Sequence, residues 1–455
     1  MQQHIKIKLY LETVCSQIRC KKIHSEICEE IENHIDDQKE AFKAQGIEEE
    51  TAIIKAIEQM GDPVIVGTEL DRTHRPKPEW SIIALTFLLL FAGNFIRLFT
   101  SPYLESFYRQ LIFTVVGTGL MVLCYYLDFT FIGKYSKSIF LLLVMLTILI
   151  IVISRPINGR YVNATYLLLL FPTAFAGIAY SMRSKGYWGI ICCGFFIIMA
   201  FVISLIVPSI TTSILLTLSC LLILTITIFK NWFGVKKLYA MLLVYLPVIA
   251  VPVLLIEFGG DYLHKRVELA FSPSLDPMGA GYIGNITRQL LSGAKFSGSG
   301  TIPESLSGMS RLPISPGISN DFLLTYTIHR LGWLAFIIVA VLLIIFIIRA
   351  FILCTKQKSI LALLVSTAVT TTITMQTLFY VVANLGFQLF SPLSLPLISQ
   401  SGSYLLINMC LVGILLSVFS TGHFIKDKGD SRKASTNSFM KFEDGKLIID
   451  LKYIK

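Results

Sequence analysis

The sequence predicts an all-α, polytopic membrane protein of about ten transmembrane helices behind a small soluble amino-terminal three-helix domain, a crossing helix taking roughly 20 apolar residues. Hydrophobic residues make up 54% of the 455 positions, and the mean hydropathy is +0.69. A chain that apolar has lipid as its solvent. Long apolar runs recur, bounded by charges or by Gly and Pro. Only residues 1–78 depart from this pattern, being rich in Glu, Lys, Gln and His with no run long enough to span.

Within that first domain, Ile27, Ile31 and Ile35 repeat at helical spacing among Glu29, Glu30, Glu32, Asp36 and Asp37, the pattern of an amphipathic helix. A second helix is predicted near 48–60. Gly61 then suits a helix cap, and Asp62-Pro63 suits an N-cap followed by the first position of a third helix. His24 and His34 lack partners at metal-ligand spacing and read as surface histidines. Met1 to Tyr10 lacks the apolar core of a cleavable signal, so the amino terminus is expected in the cytoplasm.

Spans are predicted near 80–100, 110–130, 138–154, 164–182, 187–207, 210–229, 238–256, 331–350, 360–383 and 401–422. The connections 131–137, 183–186, 230–237 and 351–359 then share one side. They carry Lys134, Lys137, Arg183, Lys185, Lys230, Lys236, Lys237, Lys356 and Lys358 and no acid. By the positive-inside rule that side is cytoplasmic. The domains follow as 1–78, a cytoplasmic helical module; 79–425, the membrane domain; and 426–455, a cytoplasmic tail.

One external connection, 257–330, is much longer than an ordinary loop, and loops of that length are usually functional or disordered. Tyr282, Ile283, Ile286, Leu290 and Leu291 recur in it at helical spacing. They mark a helix lying on the outer membrane surface or buried inside a folded loop; spacing alone leaves both open.

The net charge of +10 is spread over the ends of apolar segments without a stacking motif, which argues against nucleic acid as a partner and for membrane lipid. The nine cysteines lie in the first domain and in or beside apolar segments, so no disulfide framework is expected. No Walker or Rossmann glycine pattern and no metal cluster is present. No cofactor is required on these grounds, although a divalent cation would be compatible. The loop does hold acids, Glu257, Asp261, Glu268, Asp276, Glu304 and Asp321, of which Asp276-Pro277 has the look of a turn start. Asp321 lies between polar residues and the apolar run Phe322-Leu323-Leu324. Residue type alone equally suits Asn320 or Asp321 as a helix N-cap.

Asn384-Leu385-Gly386, Ser391-Pro392, Leu395-Pro396-Leu397-Ile398-Ser399 and Ser401-Gly402-Ser403 together resemble the signature of the RodA/FtsW/SpoVE (SEDS) family. Asn320-Asp321-Phe322-Leu323-Leu324 with Leu331-Gly332 is similar to that family's Thr-Asp-Phe-Ile-Phe segment. Asp276 to Tyr282 resembles its Asp-Pro-x-Gly-x-Gly-Tyr, Ser292 to Gly300 its glycine-rich stretch, and Asn158-Gly159 an outer-loop Asn-Gly. The order is that of the family, although Ile283 stands where a Gln is expected, His329-Arg330 where Glu-Glu is, Phe171-Pro172-Thr173-Ala174 where Gln-Pro-Ser-Glu is, and Pro208-Ser209 where Pro-Asp is. Residues 1–78 resemble the HAAS or permease-prefix module, through Glu29-Glu30-Ile31, His34, Gly46-Ile47, Ala52 and Met60-Gly61-Asp62-Pro63.

The family resemblance implies a peptidoglycan glycosyltransferase working with a penicillin-binding transpeptidase. The sugar 4-hydroxyl of one lipid II would displace undecaprenyl pyrophosphate from another at the outer face, with Asp321 as the base. Substrate-binding candidates are Arg288, Lys295, Arg311 and Arg160, which with Arg266 can supply charge to a pyrophosphate, together with Asn158, Ser399 and Ser401 from the matching motifs. Two other readings remain: a lipid-carrier transporter, disfavoured because the spans hold almost no acids, and a catalytically lapsed relative acting as a regulator or scaffold through its amino-terminal module.

Overall fold

The computed structural model describes residues 2–19, 24–74, 77–100, 104–156, 161–207, 209–258, 261–303, 306, 321–389, 391–398, 402–422, 440–443 and 446–449. The chain divides into two compact units, residues 1–78 with 420–455, and residues 79–419.

The first domain has four helices where three were expected: α1 (Gln2–Gln17), α2 (His24–Ala44), α3 (Glu49–Met60) and α4 (Pro63–His74). The unforeseen α1 lines up Ile7, Tyr10 and Val14 on one face, continued by Ile18, and buries them against Ile27, Ile31, Ile35, Ile53 and Ala56. The 3-4 spacing of those residues was the missed signal. Gly61 turns the chain at φ 84°, and Asp62 Oδ1 accepts from the N–H groups of Val64 (2.7 Å) and Ile65 (3.2 Å). This is the cap that starts a helix with Pro at its first position. In the tail, residues 440–443 and 446–449 pair as an antiparallel hairpin.

The membrane unit contains spans at Trp80–Thr100, Leu104–Tyr126, Ser136–Ile153, Val162–Met182, Gly186–Ile206, Ile210–Phe229, Lys237–Phe258, Trp333–Thr355, Ile360–Asn384 and Gly402–Thr421. Among the described residues nine are long and apolar enough to cross; the seventh is a 22-residue helix whose segment Lys237–Ala250 is apolar. Spans four and nine are the most enclosed and pack on each other. Backbones approach closely where glycine permits: a Cβ on Gly177 would collide with Ile132 O, and one on Gly413 would meet Met121 O at 2.5 Å. Small residues are how membrane helices gain contact without a hydrophobic drive between them.

Two breaks interrupt the ladder of spans. Span four is split at Leu169-Leu170, which fold back as tight i−3 bonds. Pro172 follows, unable to donate into the previous turn. The eighth span, expected at 331–350, is Trp333–Thr355, and Gly332 at φ 95° separates it from a short helix, Leu323–Leu331, that ends the long loop. Three buried hydroxyls of span nine return to their own helix: Ser366, Thr372 and Thr377 bond the carbonyls of Ala362, Ala368 and Ile373 at 2.7–2.8 Å. In that way polar side chains are tolerated at the centre.

Candidate functional site

Odd-numbered spans run in one direction, so the carboxyl ends of spans one and nine share a face with the long loop. The loop helix Tyr282–Ser292 buries Gly284, Ile286, Thr287 and Leu290. Ile286 and Leu290 form a cluster with Leu306 and Phe322, flanked by Tyr282 and Ile283. Of the two readings of that helix, the one inside a folded loop is the one observed.

Its glycine-rich continuation caps two helices at once. The N–H groups of Gly298 and Gly300 donate to Leu331 O (3.1 Å) and His329 O (2.7 Å), the orphan carbonyls ending the short helix. Trp333 and Leu334, opening span eight, donate to Lys295 O (3.1 Å) and Phe296 O (2.9 Å).

Asp321 is exposed at the end of this loop. It is not the cap residue; Phe322 holds that position, with no side-chain cap. Its backbone is held by the ninth span. Asn384, fully buried, donates from Nδ2 to Asp321 O (3.1 Å) and to Tyr380 O (3.0 Å). Asn384 Oδ1 accepts from Thr325 N–H (3.1 Å), Thr325 Oγ1 donates to Asn384 O (2.7 Å), and Leu324 N–H donates to the Tyr380 hydroxyl (3.3 Å). The amides of a helix start, which would otherwise lack partners in a dry setting, are thus satisfied by span nine.

Arg288 lies on the loop helix, and its guanidinium bridges three backbone carbonyls: Gly386 (3.1 Å from Nε), Phe271 (2.8 Å from Nη1) and Ala270 (3.0 Å from Nη2). The ring of Phe387 lies 5.3 Å from its centre. Lys295 is exposed. Arg311, Arg160, Asn158, Ser399 and Ser401 lie outside the described residues, as does the Arg266 side chain. The structure therefore gathers Asp321 and Asn384 at one place and ties Arg288 to the turn at Gly386, just after Asn384. Asp276 takes the N–H groups of Gly279 (2.9 Å) and Ala280 (3.0 Å) in a turn.

Where the motifs diverge, other contacts are found. Ser209 caps span six, accepting from Thr212 N–H at 3.4 Å. His329 is buried, its Nδ1 3.3 Å from Leu290 O. Burial lowers its pKa, the Leu290 carbonyl opposes that, and the Arg330 charge adds to the lowering. Among the described residues no three His, Cys, Asp or Glu gather as metal ligands. A cavity of about 300 Å³ opens at the opposite end of the spans, lined by Lys134, Ser136, Lys137, Ser181 and Lys185 among others; it is remote from Asp321.

Asn384, Thr325 and Tyr380 form a positioning group that residue spacing does not reveal, although Asn384 stands in a recognised motif. Nor does the sequence single out Arg97, buried in span one.

Residues 164–422 match the family model FtsW/RodA/SpoVE, described as cell cycle protein. The chain is 25% identical over 334 residues to the probable peptidoglycan glycosyltransferase FtsW of Buchnera aphidicola subsp. Schizaphis graminum, covering 69% of this chain and 89% of that one. Its fold is similar to a solved chain from a peptidoglycan synthase complex (TM-score 0.60, 17% identity, 75% of this chain and 97% of the other). It is also similar to the rod shape determining protein RodA of Thermus thermophilus (TM-score 0.51, 16% identity, 76% and 98%).

Proposed function

The chain belongs to the FtsW/RodA/SpoVE family, and from that membership we propose that it is a peptidoglycan glycosyltransferase polymerising lipid II at the outer face of the cytoplasmic membrane. The observation that carries the reading is the Asp321 segment, an exposed carboxylate residue whose backbone is fixed to the buried Asn384 of span nine.

The chemistry needs little more than position and a base. As the 4-hydroxyl oxygen of one sugar attacks the anomeric carbon of another, its proton passes to the Asp321 carboxylate. Undecaprenyl pyrophosphate leaves with the bonding electrons. General-base assistance of this kind is worth roughly a hundredfold to ten-thousandfold. The leaving group is already a stable anion, so a second carboxylate is not required. Lys295, and Arg311, Arg160 and the Arg266 side chain beyond the described residues, remain as candidate cations for that pyrophosphate, since Arg288 is engaged with backbone carbonyls.

The cationic connections at the opposite end support a cytoplasmic placement of both termini by the positive-inside rule, which puts Asp321 outside. The likeness to a chain of a peptidoglycan synthase complex supports a penicillin-binding transpeptidase as partner.

The test is polymerisation of fluorescent lipid II by the purified protein, alone and with candidate transpeptidases. Glycan chains are expected from the native protein, and Asp321→Asn is expected to lower the rate by about two to four powers of ten with an unchanged melting temperature. A native protein that makes no glycan, or a variant as active as the native one, would overturn the reading.

A further inference from the structure

Arg97 lies in span one, three residues before its end at Thr100, on the buried face that also carries Gly93 and Ile96. It is 4% exposed, and its Nε and Nη1 have no hydrogen-bond partner among the described residues. Three other arginines of the membrane unit are provided for. Arg349 meets Ser81 Oγ (3.0 Å) and Glu79 (3.9 Å), Arg288 meets three carbonyls, and Arg183 bonds Tyr180 O at 2.9 Å. A buried guanidinium without a counter-ion is among the costliest things a membrane domain can hold, and marks a site for a ligand or pathway.

No acid of the neighbouring spans can neutralise it. Between Trp80 and Ile256 the only acids are Glu105 and Asp128, and from Leu331 to Thr421 there are none. Asp128 follows the far end of span two, and Glu105 is exposed. The charge that does bear on Arg97 is a like one, Arg109 of span two. Arg109 is itself exposed and has no ion pair among the described residues. Two cations therefore converge at the loop end of the spans, and among the described residues neither has an ion pair with a carboxylate. One turn below Arg97, a Cβ on Gly93 would lie 3.0 Å from the Cα of Ile398, so the Leu395–Ile398 strap forms a wall there.

We propose that Arg97, with Arg109 at the mouth, is a subsite for a lipid-borne phosphate. A guanidinium offers a forked set of donors that suits phosphate oxygens, and a site within the spans is reached from the bilayer. The phosphate belongs either to a polyprenyl pyrophosphate, which rests on the glycosyltransferase reading, or to an anionic phospholipid, which does not.

The experiment is thermal unfolding of the full chain in phospholipid-free detergent, with undecaprenyl pyrophosphate, phosphatidylglycerol or inorganic phosphate added. Native protein is expected to be stabilised by one or both lipids and not by inorganic phosphate at equal concentration. Arg97→Gln and Arg97→Met are expected to weaken that response at least tenfold in apparent affinity. Arg97→Met should leave the lipid-free melting temperature unchanged or raise it, because it removes an unpaired buried charge. Arg109→Gln, at an exposed position, should weaken binding without touching the fold and serves if the Arg97 variants do not express. A response to the pyrophosphate alone assigns the carrier, and one to phosphatidylglycerol alone assigns the phospholipid. Unaltered lipid affinity in the Arg97 and Arg109 variants overturns the proposal, as does a lipid-free melting temperature lowered by Arg97→Met. A negative lipid II polymerisation assay would sink the enzymatic reading and leave an Arg97-dependent binding result standing.

Discussion

Asn384 holds the backbone of Asp321 by a 3.1 Å hydrogen bond from its side-chain amide, across 63 positions of sequence. The same side chain accepts from Thr325 N–H at 3.1 Å, so it works in both directions at once. Asn384→Asp keeps the acceptor for Thr325 and loses the donor to Asp321. Asn384→Ala loses both and leaves a buried amide unpaired, at a cost of about 1–3 kcal/mol. Both variants are therefore expected to lower the melting temperature and the polymerisation rate, the aspartate variant because a buried carboxylate oxygen would face the carbonyls of Asp321 and Tyr380. Equal rates in native protein and Asn384→Asp would show that this bond does not position Asp321.

That pair also shows where reading the sequence stops. Ile27, Ile31 and Ile35, and Tyr282 through Leu291, declared their helices because burial on one face forces a period that survives in the residue string. The spans were found for the same reason, as lipid demands length and apolarity. The short helix before Gly332 escaped because its nine residues fall in the external connection and mix Thr, Tyr, His and Arg with Leu, too short a stretch for a helical period to stand out. Asp321 was marked by a motif, yet its support by Asn384 is a long-range contact with no periodic trace. Arg288 read as a cation free for phosphate because its type says nothing about which three carbonyls it finds.

Arg288→Lys tests that second point. An ammonium cannot reproduce the fork to Gly386, Phe271 and Ala270, and losing two of three charge-assisted bonds, each worth about 1.5–3 kcal/mol, should destabilise the loop. The expected result is a lower melting temperature with little change in KM for lipid II. A raised KM with stability intact would instead make Arg288 a ligand for the substrate.

His329 gives the loop a pH dependence with a defined sign. Burial holds its pKa below the ordinary value of 6.5, so the folded protein keeps the ring neutral where the unfolded chain takes up a proton. This stability is fully present above about pH 6.5 and is lost as pH falls from there through the folded pKa. Melting temperatures of native protein should therefore decline below that pH more steeply than those of His329→Gln, which cannot titrate. Parallel curves would show that His329 is not the group responsible.

Gly332 separates two reasons for needing glycine. At φ 95° and ψ 169° it occupies a region essentially closed to other residues, where forced occupancy costs of order 1–3 kcal/mol. A Cβ there would also meet Phe296 O at 2.6 Å and Ser297 Cα at 2.7 Å, backbone atoms of the segment that caps span eight and so unable to retreat without breaking the bonds to Trp333 and Leu334. Gly298, at φ 83°, has nothing within 4 Å of its would-be Cβ. Gly298→Ala should then cost only the conformational penalty, roughly 1–2 kcal/mol, while Gly332→Ala should cost clearly more and uncouple the short helix from span eight. Hydrogen exchange of the Trp333 and Leu334 amides is the direct readout: faster exchange in Gly332→Ala, near-native exchange in Gly298→Ala. Matching protection in the two variants would mean that the contact with Phe296 yields, and that the left-handed backbone alone dictates glycine at this break.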